Sequence, residues 1–296
     1  MDIATTLTGL GQGVIHVIVG IFFIWLAKQI DDWRTKDFDD DIHIDDGNLA
    51  VGLRRSGLYL GIAIALSGAM TGTSKGFFLD TIQLFIDGLI ITGFMFSCRF
   101  INDYMMLGNI DNDAECIKEF KDANGNTIVG NTAVGTVEAG MYIATGFILN
   151  GAVAGTSGSF LLGIASATLF FVLGQLALLI FGLIYELITP FNVRLEIKQN
   201  NLAAGIGLGG ILIALGIILR ASIAGPFTGW INDITSFGIY TAFGIAMLLI
   251  FRVVIGRLLL PTTNIATEVK EDRNVAALLV VQSAVIAVAI IIAFAM

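Results

Sequence analysis

The residues of most chemical interest in this sequence are ionisable groups set inside long apolar stretches. In a membrane such groups are costly, and they are candidates for function by default. His16 and Asp87 lie deepest in their stretches, while Arg54, Arg55, Glu138, Glu186, Arg220, Asp233 and Arg252 lie nearer the ends, where long side chains can reach the interface. For Asp87 two readings stand: structural hydrogen bonding, or a cation or proton role. His16 is either a satisfied interior group or a proton relay, imidazole being the side chain that titrates nearest neutrality. The acidic run Asp39–Asp46 lacks the twelve-residue calcium-loop pattern and its closing glutamate, and reads as a solvated loop. No nucleophile–base signature, zinc-protease helix or phosphate-binding loop is present, and the glycine string over 205–210 falls inside an apolar span instead of after a strand. We therefore expect no enzyme, cofactor or metal centre. Cys98 and Cys116 read as free thiols, with a bridge between them as the lesser alternative.

The elements that must position these groups are set by composition. The chain is 56% hydrophobic and 14% charged, which excludes a disordered or ordinary soluble class, and its net charge of −8 argues against a nucleic-acid surface. Several apolar runs exceed the roughly 20 residues that cross about 30 Å of hydrocarbon as a helix, and lipid leaves backbone amides no other partner. The predicted fold is an all-α integral membrane protein of about eight transmembrane helices, near 7–28, 50–72, 77–99, 132–154, 160–188, 202–224, 233–258 and 275–295. Asp2 and the absence of an early Lys or Arg argue against a cleaved signal, so the first helix is expected to be retained. Lys and Arg crowd the long connections 28–49, 99–131, 190–201 and 257–274, and only Lys75 lies on the opposite side. The positive-inside rule then places the long loops in the cytoplasm and both termini outside.

The spans repeat. Asn48, Asn131, Asn201 and Asn274 each open an even-numbered span followed by small residues, and Gly72, Gly155 and Gly225 close the first three. A constant offset relates residues 48–80 to 201–233, which divides the chain into halves at 1–155 and 156–296, each already two helix pairs. Because every unit has an even number of helices, the four two-helix repeats are parallel, which argues against an inverted-repeat transporter. The four asparagines are expected to cap their helices, and the small residues to allow close backbone packing. Within this register Arg55 aligns with Glu138, which predicts a salt bridge at one depth. Ser67, Asn150 and Arg220 align near the outer face, close to Asp80 and Asp233. That layer either neutralises Arg220 or lines an outer vestibule. Extended-looking stretches at 41–45, 127–129, 193–198 and 266–270 precede the capping asparagines and predict short cytoplasmic β-strands pairing into a small sheet, with a hairpin in the second loop.

Paired helices with an Asn-x-Ala-Ala/Val-Gly opening and a glycine at the outer end resemble the YjfL-like bacterial inner-membrane family, domain-of-unknown-function family 350, over essentially the whole chain. Members of that family typically have two such units, so the chain looks like a doubled version. Leu278 departs from the pattern where the other repeats have glycine. The resemblance implies an inner (plasma) membrane location and, by association, a role in envelope maintenance with an envelope-stress or membrane-remodelling protein as cytoplasmic partner. The residues themselves also support a channel or transporter for a small cation or proton, with Asp87, Glu138 and His16 along the path and Arg55 as an electrostatic gate. Beyond the lipid bilayer itself, partner and oligomeric state are left open by the sequence.

Overall fold

The computed structural model describes residues 3–35, 38–71, 74, 76–103, 107–108, 110–121, 125–154, 159–259 and 264–296, and of 3–8, 255–257 and 259 the backbone only. Among the described residues, eight helices are long and apolar enough to span a bilayer. In chain order the helices and strands are α1 (Ile3–Arg34), α2 (Asp40–Asp45), α3 (Leu49–Ala69), α4 (Phe77–Ile101), α5 (Asn112–Ile117), β1 (Glu119–Lys121), β2 (Thr127–Val129), α6 (Thr132–Val153), α7 (Phe160–Ile188), α8 (Val193–Lys198), α9 (Leu202–Ile223), α10 (Trp230–Leu259), α11 (Ile265–Lys270) and α12 (Val275–Ala295). The chain is an all-α multi-pass membrane protein, and the expected spans agree with the helices to within a few residues at most ends. The main exception is α1, which runs on to Arg34 because Lys28–Asp32 (2.7 Å) and Arg34–Asp31 (2.8 Å) tie together the turns beyond its apolar part.

The second helices of the four repeats form an inner row in which α3 packs on α6, α6 on α9, and α9 on α12. The first helices α1, α4, α7 and α10 pack beside it. Glycine makes the row possible, because a Cβ placed on Gly57 would fall 2.3 Å from Ala139 Cα, and one on Gly140 would fall 2.6 Å from Gly209 Cα. Apolar side chains would attract equally well to lipid, so close backbone contact is what holds such helices to each other.

The connectors on the long-loop side depart from expectation. Residues 41–45, 193–198 and 266–270 lie in short helices instead of strands, and the described residues contain only the two-stranded hairpin β1–β2, with Phe120 opposite Ile128. The physical reason is an Asx cap upstream of each: Asp39, Asp111, Asn192 and Asn264 accept from the free N–H groups of α2, α5, α8 and α11. A left-handed residue then reverses the chain before each long helix: Gly47 (φ 82°), Gly130 (φ 96°), Asn200 (φ 57°) and Arg273 (φ 46°). Gly130 has no alternative, since a Cβ there would lie 2.3 Å from Asn48 Oδ1.

The four expected caps form as read. Asn48, Asn131, Asn201 and Asn274 each accept from the first turn of α3, α6, α9 and α12. Their amide groups do something more. Asn48 Nδ2 donates to Cys116 O (2.8 Å), Asn131 Nδ2 to Ile197 O (3.0 Å), and Asn201 Nδ2 to Val269 O (2.7 Å). Each acceptor is the fifth residue of the short helix in the following repeat, so one hydrogen bond is repeated down the row.

Candidate functional site

The densest concentration of charge lies at the long-loop end of the first half, where α1, α3 and α4 meet α2 and α5. Arg54 is 1% exposed and donates to both oxygens of Asp40 (2.8 Å each) and to Asp113 Oδ1 (2.8 Å). Arg55 donates to Asp40 (2.7 Å), Asp41 (2.8 Å) and Asp32. Arg99 pairs with Asp113, and Arg34 reaches the same carboxylate at 3.0 Å. Asp113 therefore serves three arginines and Asp40 two. Phe38 lies against Arg54, its ring centroid 5.7 Å from the guanidinium carbon.

Electrostatics outside the spans follow from this arrangement. Burial alone would push the Asp113 carboxyl up, but Arg99, Arg34 and Arg54 outweigh it and hold the group below the usual carboxylate range. The ammonium of Lys28, bonded at 2.6 Å, holds Asp41 down as well. Asp103 is shifted up, because burial costs more than Arg99 returns. Breaking such a buried pair by removing one partner typically costs about 3–5 kcal/mol.

Two expectations are corrected here. Asp40, in the run read as a solvated loop, is buried between two arginines. Arg55 and Glu138, aligned in register, form no ion pair with one another among the described residues. Arg55 turns toward the acids of α1 and α2, whereas Glu138 of α6 is buried against α5 and accepts from Asn112 Nδ2 (3.4 Å) and Cys116 Sγ (3.9 Å). Equal depth on neighbouring helices does not imply facing directions. In the second half the aligned positions are Leu208 and Val281, so the charge cluster belongs to the first half alone. Cys98 and Cys116 are both free and buried.

At the opposite, short-loop end the aligned trio Ser67, Asn150 and Arg220 forms a chain. Asn150 Nδ2 donates to Ser67 Oγ (3.0 Å) and Ile64 O (2.8 Å), while Arg220 Nε donates to Asn150 Oδ1 (2.9 Å). Arg220 makes no ion pair with Asp80 or Asp233 among the described residues. Asp80 accepts from Ser74 and Asp233 from the Thr228 hydroxyl and N–H, beside the starts of their own helices. The closing glycines Gly72 and Gly155, and Lys75, lie outside the described residues.

An open cleft of about 1010 Å³ lies on this side, and His16, Asp80, Asp87 and Asp233 all line it. Asp87 accepts from Gln83 Nε2 at 2.9 Å, and the buried His16 Nε2 makes no hydrogen bond among the described residues. Four of the singled-out residues are thus brought to one cavity, while Arg55 and Glu138 stand at the other end of the bundle. Between the two ends lie Leu58, Ile62, Ile91, Met95, Met141 and Ile148, all at most 1% exposed.

The family model described as Domain of Unknown Function (DUF350) matches residues 5–153 and 159–296, nearly the whole chain in two stretches. The chain belongs to this family. It carries the DUF350 domain in doubled form, consistent with the repeated asparagine caps and glycine contacts. The chain is also similar to a UPF0719 transmembrane protein of Aquifex aeolicus (strain VF5), 26% identical over 279 residues that cover 93% of this chain and 96% of the relative. No solved structure matches.

Sequence reasoning missed the full partnership of the charge cluster. Arg54 is more buried than Arg55, and Asp31, Asp113 and Arg99 complete a network that register alone does not reveal. The available signal was charge balance, since an Arg-Arg pair entering a span must meet acids, and an Asp-rich loop lies just before it.

Proposed function

We propose that this DUF350 chain is a non-transporting membrane module that acts through its connectors, which the positive-inside rule places in the cytoplasm with both termini outside. The observation that carries this reading is the closed middle of the bundle: backbone-close helices and fully buried Leu, Ile and Met side chains separate the cleft from the charge cluster. The polar side chains buried at that depth, Thr92, Tyr142, Thr145 and Gln175, are few among these apolar ones, and Gln175 donates to Thr145 (3.0 Å) within the packing, so an ion entering this layer would meet a mostly apolar surround. Exposed apolar residues on the connectors, Ile42, Ile128 and Leu195, give a partner engaged in envelope maintenance or membrane remodelling something to bind.

A second reading, a channel or transporter for a small cation or proton, draws on the cleft that gathers His16, Asp80, Asp87 and Asp233. Liposome flux separates the two. Reconstituted protein is expected to pass no protons, Na⁺ or K⁺ above empty vesicles, with Asp87→Asn indistinguishable from wild type. Flux that Asp87→Asn abolishes would replace the module by the transporter.

A further inference from the structure

The inner row has two free edges, and they match the two sides of the interface already made three times within the chain. On the incoming side, α6 meets α3 through Gly135, Ala139, Gly146 and Asn150, against Ala50, Gly57, Gly61 and Gly68. Next, α9 meets α6 through Gly205, Gly209, Gly216 and Arg220, against Ala133, Gly140, Ala144 and Gly151. The same contact recurs at each step: Gly57 against Ala139, Gly140 against Gly209, and Gly210 against Gln282 of α12.

Carried one step beyond each end, the register names the unfilled faces. On α3 the residues aligned with Gly135, Ala139, Gly146 and Asn150 are Gly52, Ser56, Ala63 and Ser67, of which the last three are exposed and Gly52 is partly so. On α12 the residues aligned with Ala50, Gly57, Gly61 and Gly68 are Ala276, Ser283, Ala287 and Phe294, all exposed. Polarity does not demand a partner here, since Ser56 bonds a carbonyl of its own helix, and Ser67 bonds such a carbonyl and accepts from the Asn150 amide. Register does.

The asparagine ladder ends at the same edges. Asn274 Nδ2 donates to Glu268 of its own repeat at 2.7 Å, as Asn131 and Asn201 donate to Glu115 and Glu196, but among the described residues it meets no fifth-residue carbonyl. At the other end that carbonyl belongs to Ile44, which accepts from Gly47 N (3.0 Å) and, among the described residues, from no asparagine. Helices α4, α7 and α10 each pack on the inner helix of the preceding repeat as well as their own, whereas α1 packs on α3 and α4 and leaves Val14, Val17, Ile21 and Trp25 exposed.

We propose that copies of this chain associate head to tail, α12 of one copy packing on α3 and α1 of the next. The occupant of both free edges is a second copy, because the interface required is the one the chain repeats internally. The contact is heterologous, so it closes into a ring or extends as a row. With serine at both Ser283 and Ser56, where each internal pair has a glycine, α12 and α3 approach less closely than the internal helices and the contact is weaker. The proposal stands whether or not the chain carries ions.

The register fixes a cross-link: Ser283 of one copy faces Ser56 of the next, and Phe294 faces Ser67. Full-length Ser56→Cys and Ser283→Cys chains with different tags would be co-expressed and their membranes oxidised. Both positions are exposed in the single chain, so neither change disturbs packing. A disulfide-linked dimer is expected only between the two tags, with Ser67→Cys and Phe294→Cys behaving alike, and the S56C/S283C double variant should give a ladder of multiples. Val172→Cys on α7, also exposed, sets the level of random collision when paired with Ser283→Cys. Dimers of Ser56→Cys with itself would indicate a two-fold contact and overturn the proposal, as would yields no higher than the Val172 control for both register pairs.

Discussion

Gly146 offers the most direct test of what holds the inner row together. A Cβ added there would fall 2.4 Å from Gly61 O and 2.7 Å from Gly61 Cα, both backbone atoms. Ordinary carbon contacts begin at about 3.5 Å, so Gly146→Ala must separate α3 and α6 by about 1 Å, and a gap of that size forfeits up to about half the attraction of each contact it opens. Overpacking typically costs about 1–3 kcal/mol, and backbone on the opposing side places this site toward the upper end. Alanine is intrinsically the better helix former by about 0.8–1 kcal/mol, which offsets part of the loss. Gly93 of α4 supplies the reference, because a Cβ there meets nothing within 4 Å and Gly93→Ala keeps only the helix gain. The difference between the variants, in which that gain cancels, should be about 1–3 kcal/mol against Gly146→Ala. Unfolding in mixed detergent–SDS micelles, followed by circular dichroism, measures it. If Gly146→Ala is as stable as Gly93→Ala, backbone contact is not what binds the row.

In the same assay, Asn131→Ala removes both a helix cap and the bond to Ile197 and should cost about 2 kcal/mol, whereas Asn274→Ala in a single chain removes no inter-repeat bond and should cost about half as much; equal losses would count against the ladder. The pH dependence is set by the charge cluster. Asp113 and Asp41 lie below their ordinary range when folded, so their contribution is complete at neutral pH and is lost as pH falls below about 4, through the lowered values. Acid titration of the unfolding midpoint should show this decline, with a smaller one in Asp113→Asn.

The sequence specified the spans well because lipid leaves long apolar segments one option, and the asparagine caps were readable because capping depends on one side chain and its own first turn. The connectors were misread for the complementary reason. Stretches such as Val193–Lys198 alternate like strands, and what makes them helical is an Asx residue nine or ten positions before the capping asparagine in three repeats: Asp39, Asn192 and Asn264. In the second repeat the hairpin insertion separates Asp111 from Asn131 and obscures the spacing. For the charged residues, register gave depth and not direction. It aligned Ser67, Asn150 and Arg220, which do bond, and also Arg55 with Glu138, which do not, because the two sets lie twelve residues apart on their helices and so point about 120° apart. That His16 and Asp87 share a cleft with Asp80 and Asp233 required the helices to be placed side by side.

The amide that closes each unit's cap also waits for a carbonyl made later in the chain: Asn48 for Cys116, Asn131 for Ile197, Asn201 for Val269. During synthesis each arriving helix pair carries, just ahead of its inner helix, the acceptor its predecessor lacks. The protein can therefore grow or shrink by whole pairs, each gain or loss altering one seam and leaving the donors and acceptors inside every other unit matched. Gene duplication had only to preserve an Asx-capped lead-in and an asparagine for the longer chain to fold.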